Sequence, residues 1–370
     1  MSQVNANSIY DASGGQSAKL YGVSMRNGGT AYVNRIINGD MRIDQRNAGA
    51  SITPIDGQYS VDRWRCGFTA ASKFSAQQNA GAVTPPAGFT NYLGITSLSA
   101  YSVGVSDGFD VDQQIEGFNA ADLGWGTASA QTVTLSFWVR SSLTGTFGGA
   151  LMNSGYNRRY VFSYTINSAN TWEQKTITVS GDTSGTWLTN NGVGIRVIMA
   201  FAAGTNNQAS PGSWGSAFAI APTGSVSVVG TSGATFYITG VQLEAGSVAS
   251  PFERRDYGRE LMMAQRYYYR VTNNATAYTT FAIGRAYSST EGNATVYMPV
   301  PMRASPTIGK SAFGGTNWDY SISAINIVQV ASDFRLITVY SAGSFTNGGA
   351  YALAAGNTTS TIFLDFSAEL

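Results

Sequence analysis

Histidine is absent from this 370-residue chain. Its absence removes the Ser-His-Asp and Cys-His routes to an activated nucleophile, together with the usual His-containing zinc sites. Cysteine occurs once, at Cys66, so no intrachain disulfide can form. Beside Arg65 and without a base partner, Cys66 reads as a buried or incidental thiol rather than a nucleophile. Charged residues make up 12% of the chain, about half the usual share of roughly a quarter, and the formal net charge is +1. So neutral a chain has no field with which to gather a polyanion, which excludes nucleic acid as the expected partner. The longest uninterrupted apolar run, Val197 to Ala203, is far shorter than the roughly 20 residues of a membrane-spanning helix, so no membrane insertion is expected. Met1 to Asn7 is polar, which sets aside a Sec-type leader. Neither a phosphate-cradling loop nor a dinucleotide glycine fingerprint occurs, and no repeat of fixed period suggests a solenoid or propeller.

Gly, Ser, Thr, Asn and Tyr fill the place of the missing charge, while hydrophobic residues stand at 43%. Strands favour Thr, Tyr, Val and Phe, and the composition predicts an all-β protein. A chain of this length exceeds what one core comfortably serves, so two globular parts and an extension are expected. The pattern divides it into an extended N-terminal segment (1–33), an antiparallel β-sandwich (34–252), one short linking helix (253–270) and a second, smaller β domain (271–370).

Within the sandwich the clearest strand is Thr132–Arg140, with Val133, Leu135, Phe137 and Val139 on one face. Its expected partner is Trp172–Val179, with Ile177 and Val179 inward. Further strands are predicted at Val111–Gly117, Val193–Phe201, Gly224–Val229 and Ala234–Leu243, with Phe118–Trp125 as a connecting loop. Asp256 caps a predicted helix whose stripe is Tyr257, Leu261, Ala264 and Tyr268. The arginines from Arg254 to Arg270 read as its solvated face. The last hundred residues return to strand pattern at Thr279–Tyr287, Ala294–Met298, Ile322–Val330, Phe334–Tyr340, Tyr351–Ala354 and Ser360–Ala368, the second stopped by Pro299 and Pro301.

Two segments bracket the sandwich. Asn34-Arg-Ile-Ile-Asn-Gly-Asp-Met-Arg-Ile-Asp-Gln-Arg46 opens it as a predicted strand, followed by Ser60-Val-Asp-Arg-Trp64; Phe236-Tyr-Ile-Thr-Gly-Val-Gln-Leu-Glu-Ala-Gly closes it, with a bend or bulge at Gly240. Together these resemble a family of bacteriophage tail-fibre and tail proteins whose central domain is a carbohydrate-binding jelly roll, over about Asn34 to Arg270 and more weakly to Leu370. Gln114-Ile-Glu-Gly117 and Leu135-Ser-Phe-Trp-Val-Arg140 match that jelly roll best. The resemblance implies a virion tail component, a homotrimer with subunit contacts at the helix, and phage tail or adaptor proteins held through the N-terminal segment. It also implies host surface polysaccharide as the ligand. Jelly rolls of this kind carry a structural calcium near their first and last strands, and Asp40 and Glu244 stand at the matching positions.

Sugar sites combine an aromatic face with amide and hydroxyl groups. The chain has 7 Trp and 20 Tyr. Trp64 and Trp172 read as core, and Trp138 points away from its strand's apolar row. Trp125, Trp187, Trp214 and Trp318 lie in Gly-, Ser-, Thr- and Asn-rich loops and are the ligand-binding candidates, although anchoring a loop is the plainer role for each. No catalytic residue is expected. The one enzymatic alternative is glycoside hydrolysis, which needs only two carboxyl groups; Asp107, Asp110, Asp112 and Glu116 form the densest acidic stretch, and Asp110 and Asp112 fall on one face of a strand. A purely structural virion fibre or decoration protein is the third reading.

Overall fold

The computed structural model describes residues 33–311, 322–330, 334–341, 345–355 and 361–370, together with an antiparallel pair formed by β1 (Ala18–Leu20) and β2 (Val23–Met25). The remainder of the predicted N-terminal attachment segment lies outside the described residues, as does Trp318.

The strands that follow are β3 (Arg65–Phe68), β4 (Phe74–Gln78), β5 (Leu93–Ser97), β6 (Gly108–Glu116), β7 (Val133–Ser141), β8 (Gly145–Met152), β9 (Arg159–Ile166), β10 (Glu173–Val179) and β11 (Val193–Ala203). After them come the two-residue strands β12 (Gln208–Ala209), β13 (Trp214–Gly215) and β14 (Ala221–Pro222), then β15 (Thr235–Ala245). One sheet has the order β10-β7-β15-β5-β4 and faces another of order β13-β9-β8-β11-β6-β3. The chain passes back and forth between the two sheets, which is the winding of a jelly roll. Between them lies a core without helices: Val133, Leu135, Phe137 and Val139 from β7, Phe236, Ile238, Val241 and Leu243 from β15, and Val111, Val197, Met199 and Phe201 from the other sheet. The predicted pairing of β7 with the 172–179 segment is present, in the register Ile177 to Leu135 and Val179 to Val133. The predicted bulge is present too. The β15–β7 register slips between Thr239 and Gln242, where Gly240 takes φ +62°, so apolar side chains on both sides of the slip face inward.

Several expectations need correction. Asn34–Arg46 is not a ladder strand. Its backbone is satisfied by side chains instead: Ile36 N–H donates to Asn34 Oδ1 (2.9 Å), Ile37 N–H to Gln113 Oε1 (2.8 Å) and Ile43 N–H to Asn38 Oδ1 (2.9 Å). Asn38 and Met41 have positive φ, which no extended strand tolerates. The segment does meet the closing motif, since Arg35 N–H donates to Leu243 O (2.9 Å) and Val241 N–H to Gly39 O (2.9 Å). Gly224–Val229 is likewise not a strand. Val226 N–H bonds Thr146 O on β8 and Val228 N–H bonds Phe201 O on β11, both at 2.8 Å. Divided between two strands, the segment crosses an end of the sandwich and buries Val228 and Val229 in the core. Trp172 is not in the main core; it packs on Tyr92 (5.5 Å) in a small outer cluster.

Helix α1 (Tyr257–Gln265) is capped by Asp256, whose carboxylate accepts from Arg259 N–H (2.9 Å). It ends earlier than the apolar stripe suggests, because Tyr268 opens β16 (Tyr268–Thr272). Its arginines are only partly solvated: Arg254 and Arg259 are exposed, whereas Arg255 is buried against Glu260 (3.2 Å), Arg266 pairs with Glu116 and Arg270 with Asp365 (2.8 Å). The C-terminal strands are β17 (Thr280–Ala286), β18 (Glu291–Tyr297), β19 (Thr307–Lys310), β20 (Ile322–Val330), β21 (Phe334–Ser341), β22 (Ala350–Ala354) and β23 (Phe363–Ser367). They form a five-stranded sheet, β20-β21-β18-β17-β22, and a three-stranded one, β16-β23-β19, around a second apolar core that includes Val296, Ile337, Val339, Leu353, Leu364 and Phe366. Strand β18 stops at Tyr297, just before the prolines, because Pro299 and Pro301 have no N–H for a ladder.

Candidate functional site

Alternation along β6 turns Phe109, Val111 and Ile115 into the core and leaves Asp110, Asp112, Gln114 and Glu116 on the outer face of the six-stranded sheet. Cross-strand register extends that face. Arg196 on β11 stands opposite Gln114 on one side and Met152 on the other; Met152 stands opposite Arg159, and Arg159 opposite Gly215. A parallel row runs from Arg65 through Asp112, Ile198 and Ala150 to Val161. One part of this face is apolar, built from Ala150, Met152, Val161, Ile198 and Ala200, and is covered by Ala219, Ile220 and Ala221. The other part is polar and tightly bonded.

Asp112 is fully buried and clamped by guanidinium groups: Arg65 reaches its Oδ2 at 2.8 Å and Arg196 its Oδ1 at 3.5 Å. The Gln114 amide, turned to suit its neighbours, accepts from Arg196 Nη1 (3.1 Å) and donates to the Leu370 carbonyl (2.9 Å). Asp110 lies over Gly67, where a Cβ would come 2.9 Å from its Oδ1, so a side chain there would have to displace the carboxylate. Burial, and then the neighbouring Asp112 carboxylate, push the Asp110 carboxyl well above the usual range. Asp107 stands apart from this row. It accepts from Thr69 Oγ1 (2.7 Å), Tyr101 Oη (2.8 Å) and Gly104 N–H (2.7 Å), and the first two of these bonds lower its pKa. Cys66, on the inner side of β3, is fully buried and its thiol is pushed up to about 12 by burial, so it is inert.

At the rim of the face the β8–β9 turn lifts Tyr156 into solvent. Asn153 builds that turn, its Oδ1 accepting from Asn157 N–H (3.2 Å) and Arg158 N–H (3.1 Å). Tyr156 takes φ +57°, an unfavourable backbone state for an aromatic residue and one that collects at functional positions. Its hydroxyl accepts from Arg196 Nη2 (2.7 Å), its ring carries the Arg196 guanidinium at 4.8 Å, and Phe218 lies 6.0 Å away, ring to ring. Tyr156 is 43% exposed and Phe218 44% exposed. Two partly exposed aromatic rings thus stand beside a fixed set of polar groups. Sequence reading passes over both residues. The available signal is Arg196, a lone charge inside the apolar run Ile195–Ala203, which marks the strand's outer face as occupied by something polar.

Three of the four tryptophans singled out from the sequence are brought together. Trp125, Trp187 and Trp214 pack edge to face with centroids 4.7, 5.3 and 5.5 Å apart. Trp125 and Trp187 are buried and Trp214 is half-buried. Each indole N–H is bonded to a loop carbonyl: Trp125 to Gln131 (2.8 Å), Trp187 to Ser184 (3.1 Å) and Trp214 to Ser180 (2.8 Å). The cluster ties loops onto one end of the sandwich and presents no open ring pair.

Asp40 and Glu244 do not form a calcium cage. Asp40 pairs with Arg42 (3.0 Å). The fully buried Glu244 accepts from Ser250 N–H (2.7 Å), Ser250 Oγ (2.8 Å) and Gln242 Nε2 (3.0 Å). A calcium ion takes six to eight oxygens, and among the described residues no three acidic, His or Cys side chains group to hold a metal. Both expected ligands are thus already engaged by protein groups. Among the described residues no helix is long and apolar enough to cross a membrane.

No protein-family model matches the chain, and no curated protein sequence matches it. Solved structures do. The enzymatically active domain of bacteriophage CBA120 tailspike protein 4 is 12% identical with a TM-score of 0.30, over 58% of this chain and 22% of that one. A putative sugar binding protein from Bacteroides thetaiotaomicron VPI-5482 is 11% identical with a TM-score of 0.34, over 58% of this chain and 100% of that one. The family 11 carbohydrate-binding module from Clostridium thermocellum, in complex with a β-1,3-1,4-mixed-linked tetrasaccharide, is 13% identical with a TM-score of 0.27, over 53% of this chain and 95% of that one.

Proposed function

We propose that this chain is a non-enzymatic phage tail-fibre adhesin that holds host surface saccharide on the outer face of its six-stranded sheet. The observation that carries this is the exposed Tyr156–Phe218 pair set beside the buried Arg65–Asp112–Arg196 network. Aromatic rings stack on the apolar face of a pyranose, and the network beneath fixes Tyr156 in advance through Arg196, which lowers the ordering cost of binding. Assembly as a homotrimer, attached to tail or adaptor proteins through residues 1–33, belongs to the same reading. Several weak sites on one particle then act together through effective concentration.

Binding of the purified chain to host surface polysaccharide tests it. Tyr156→Ala and Phe218→Ala should each weaken binding at least tenfold with an unchanged melting curve; full retention in both variants rejects the site. The rival reading, a hydrolase of the same polysaccharide, is favoured by one observation: Asp110, whose pKa burial raises, shares a face with the arginine-clamped Asp112. New reducing ends on incubation, abolished by Asp110→Asn, would establish that rival. A purely architectural role predicts neither binding to host cells nor competition with infection.

A further inference from the structure

The charge on this face is unevenly matched. Arg158 is paired in the ordinary way, both its Nε and Nη2 meeting Asp182 at 2.7 and 2.6 Å. Its neighbour Arg159 points to the other side of β9, onto the outer face, in the same cross-sheet row as Met152 and Arg196. Among the described residues no carboxylate reaches the Arg159 guanidinium, and its buried Nε has no hydrogen-bond partner. The group is half-buried and lies close against Gly215, where a Cβ would stand 2.8 Å from Cζ. Arg196 is also under-matched: its Nε is unpartnered, and it shares Asp112 with Arg65, from 3.5 Å against 2.8 Å. Two guanidinium groups two strands apart, about 10 Å at the usual strand spacing, thus stand on the row beside the Tyr156–Phe218 rim.

A half-buried arginine costs solvation free energy, and among the described residues no carboxylate offsets it. A guanidinium is a planar fork suited to carboxylate, and it keeps its charge at any relevant pH. On the reading that this face binds saccharide, we propose that its ligand is acidic: a polysaccharide bearing carboxylate sugars, with Arg159 receiving the carboxylate while Tyr156 and Phe218 hold the ring. Arg196 then acts as a positioning residue, fixing Tyr156 from beneath. The chain's near-zero net charge fits this arrangement, because discrimination comes from one placed cation and not from a broad field.

The test compares three acidic oligosaccharides (polygalacturonate, alginate and polysialate fragments) with their carboxyl-reduced neutral counterparts, using the full-length chain in low salt. The expected result is binding of at least one acidic probe at least tenfold tighter than its reduced form, weakening as salt is raised. Arg159→Gln should abolish that preference, so that the acidic probe binds no tighter than its reduced form. Arg159→Lys, which keeps the charge, should retain most of it. Equal binding of acidic and reduced forms, or a Lys variant as weak as the Gln variant, overturns the assignment of an acidic ligand and leaves the saccharide reading standing. No binding of either form, with host polysaccharide also unbound, removes both.

Discussion

Glu116 joins the first half of the chain to the second through Arg266: its Oε1 accepts from Nη2 at 2.6 Å and its Oε2 from Nε at 2.9 Å, and Tyr267 Oη adds a third bond at 2.6 Å. The carboxylate is buried, whereas the arginine side chain is 34% exposed. Burial alone would raise the Glu116 pKa. The bonds from Arg266 and Tyr267 outweigh it and hold the carboxyl below its ordinary value. A depressed carboxyl stabilises the fold above its unfolded-state pKa, and that contribution is lost as pH falls through the folded value. Glu116→Gln should therefore cost about 1–3 kcal/mol at pH 7, discounted from a fully buried pair because Arg266 can still reach water. The cost should shrink towards pH 3. Urea unfolding of both proteins at the two pH values checks it, and a pH-independent difference would refute the ionic account.

Asp110 has the opposite sign. Its pKa is raised, first by burial and then by Asp112, so folding favours the protonated form and stability falls as pH rises through the folded value. Asp110→Asn, which removes the ionisation and keeps the shape, should raise the melting midpoint at neutral pH. Below the ordinary aspartate range, where both chains are neutral at this site, the gain should vanish. Thermal melts from pH 3 to 8 decide it. A variant less stable at neutral pH, with a deficit that shrinks as pH falls, would mean that Asp110 is held as a carboxylate.

The tryptophan cluster separates anchoring from binding. Trp187→Ala removes a buried ring packed on two others and should cost about 3–5 kcal/mol. Trp214→Ala should cost less, because that ring is half-buried. If either variant kept its wild-type melt and lost saccharide binding, the binding face would have to move from Tyr156 to this end of the sandwich.

Gly39 offers a backbone test of the contact between the opening and closing motifs. Its Cα stands so close to Val241 O that an added Cβ would collide with that carbonyl, in the place where Val241 N–H already bonds Gly39 O. The obstacle is main chain and cannot swing aside. Gly39→Ala should destabilise by about 1–3 kcal/mol or more. Calorimetry that leaves the melt unchanged would show that the two motifs are not held together as described.

Legibility varied with the source of each signal. Strand β7 was readable because Val133, Leu135, Phe137 and Val139 alternate cleanly, and the bulge at Gly240 because the apolar phase shifts there. Strand β8 was not readable. It contains Gly148 and Gly149, whose missing side chains let Phe162 O and Ile198 O approach closely, and glycine carries no periodicity. The arginines near α1 resembled a solvated face because their partners, Glu116 and Asp365, are about a hundred or more positions away. The loop tryptophans drew attention by residue type, yet whether a ring faces a sugar or another ring depends on which loops meet. Tyr156 was one of 20 tyrosines until the Asn153 turn lifted it.

Composition and alternation by themselves determined an all-β chain without histidine chemistry, without disulfides and with the sandwich strands β6, β7, β10, β11 and β15 in place, because those features depend on near neighbours and residue type. Only the tertiary structure decided which outer face is polar, that among the described residues Arg158 meets a carboxylate and Arg159 does not, and that Tyr156 and Phe218 stand together at its rim. Adjacent residues on a strand point to opposite sides, and what each side meets is set by pairings that span the chain.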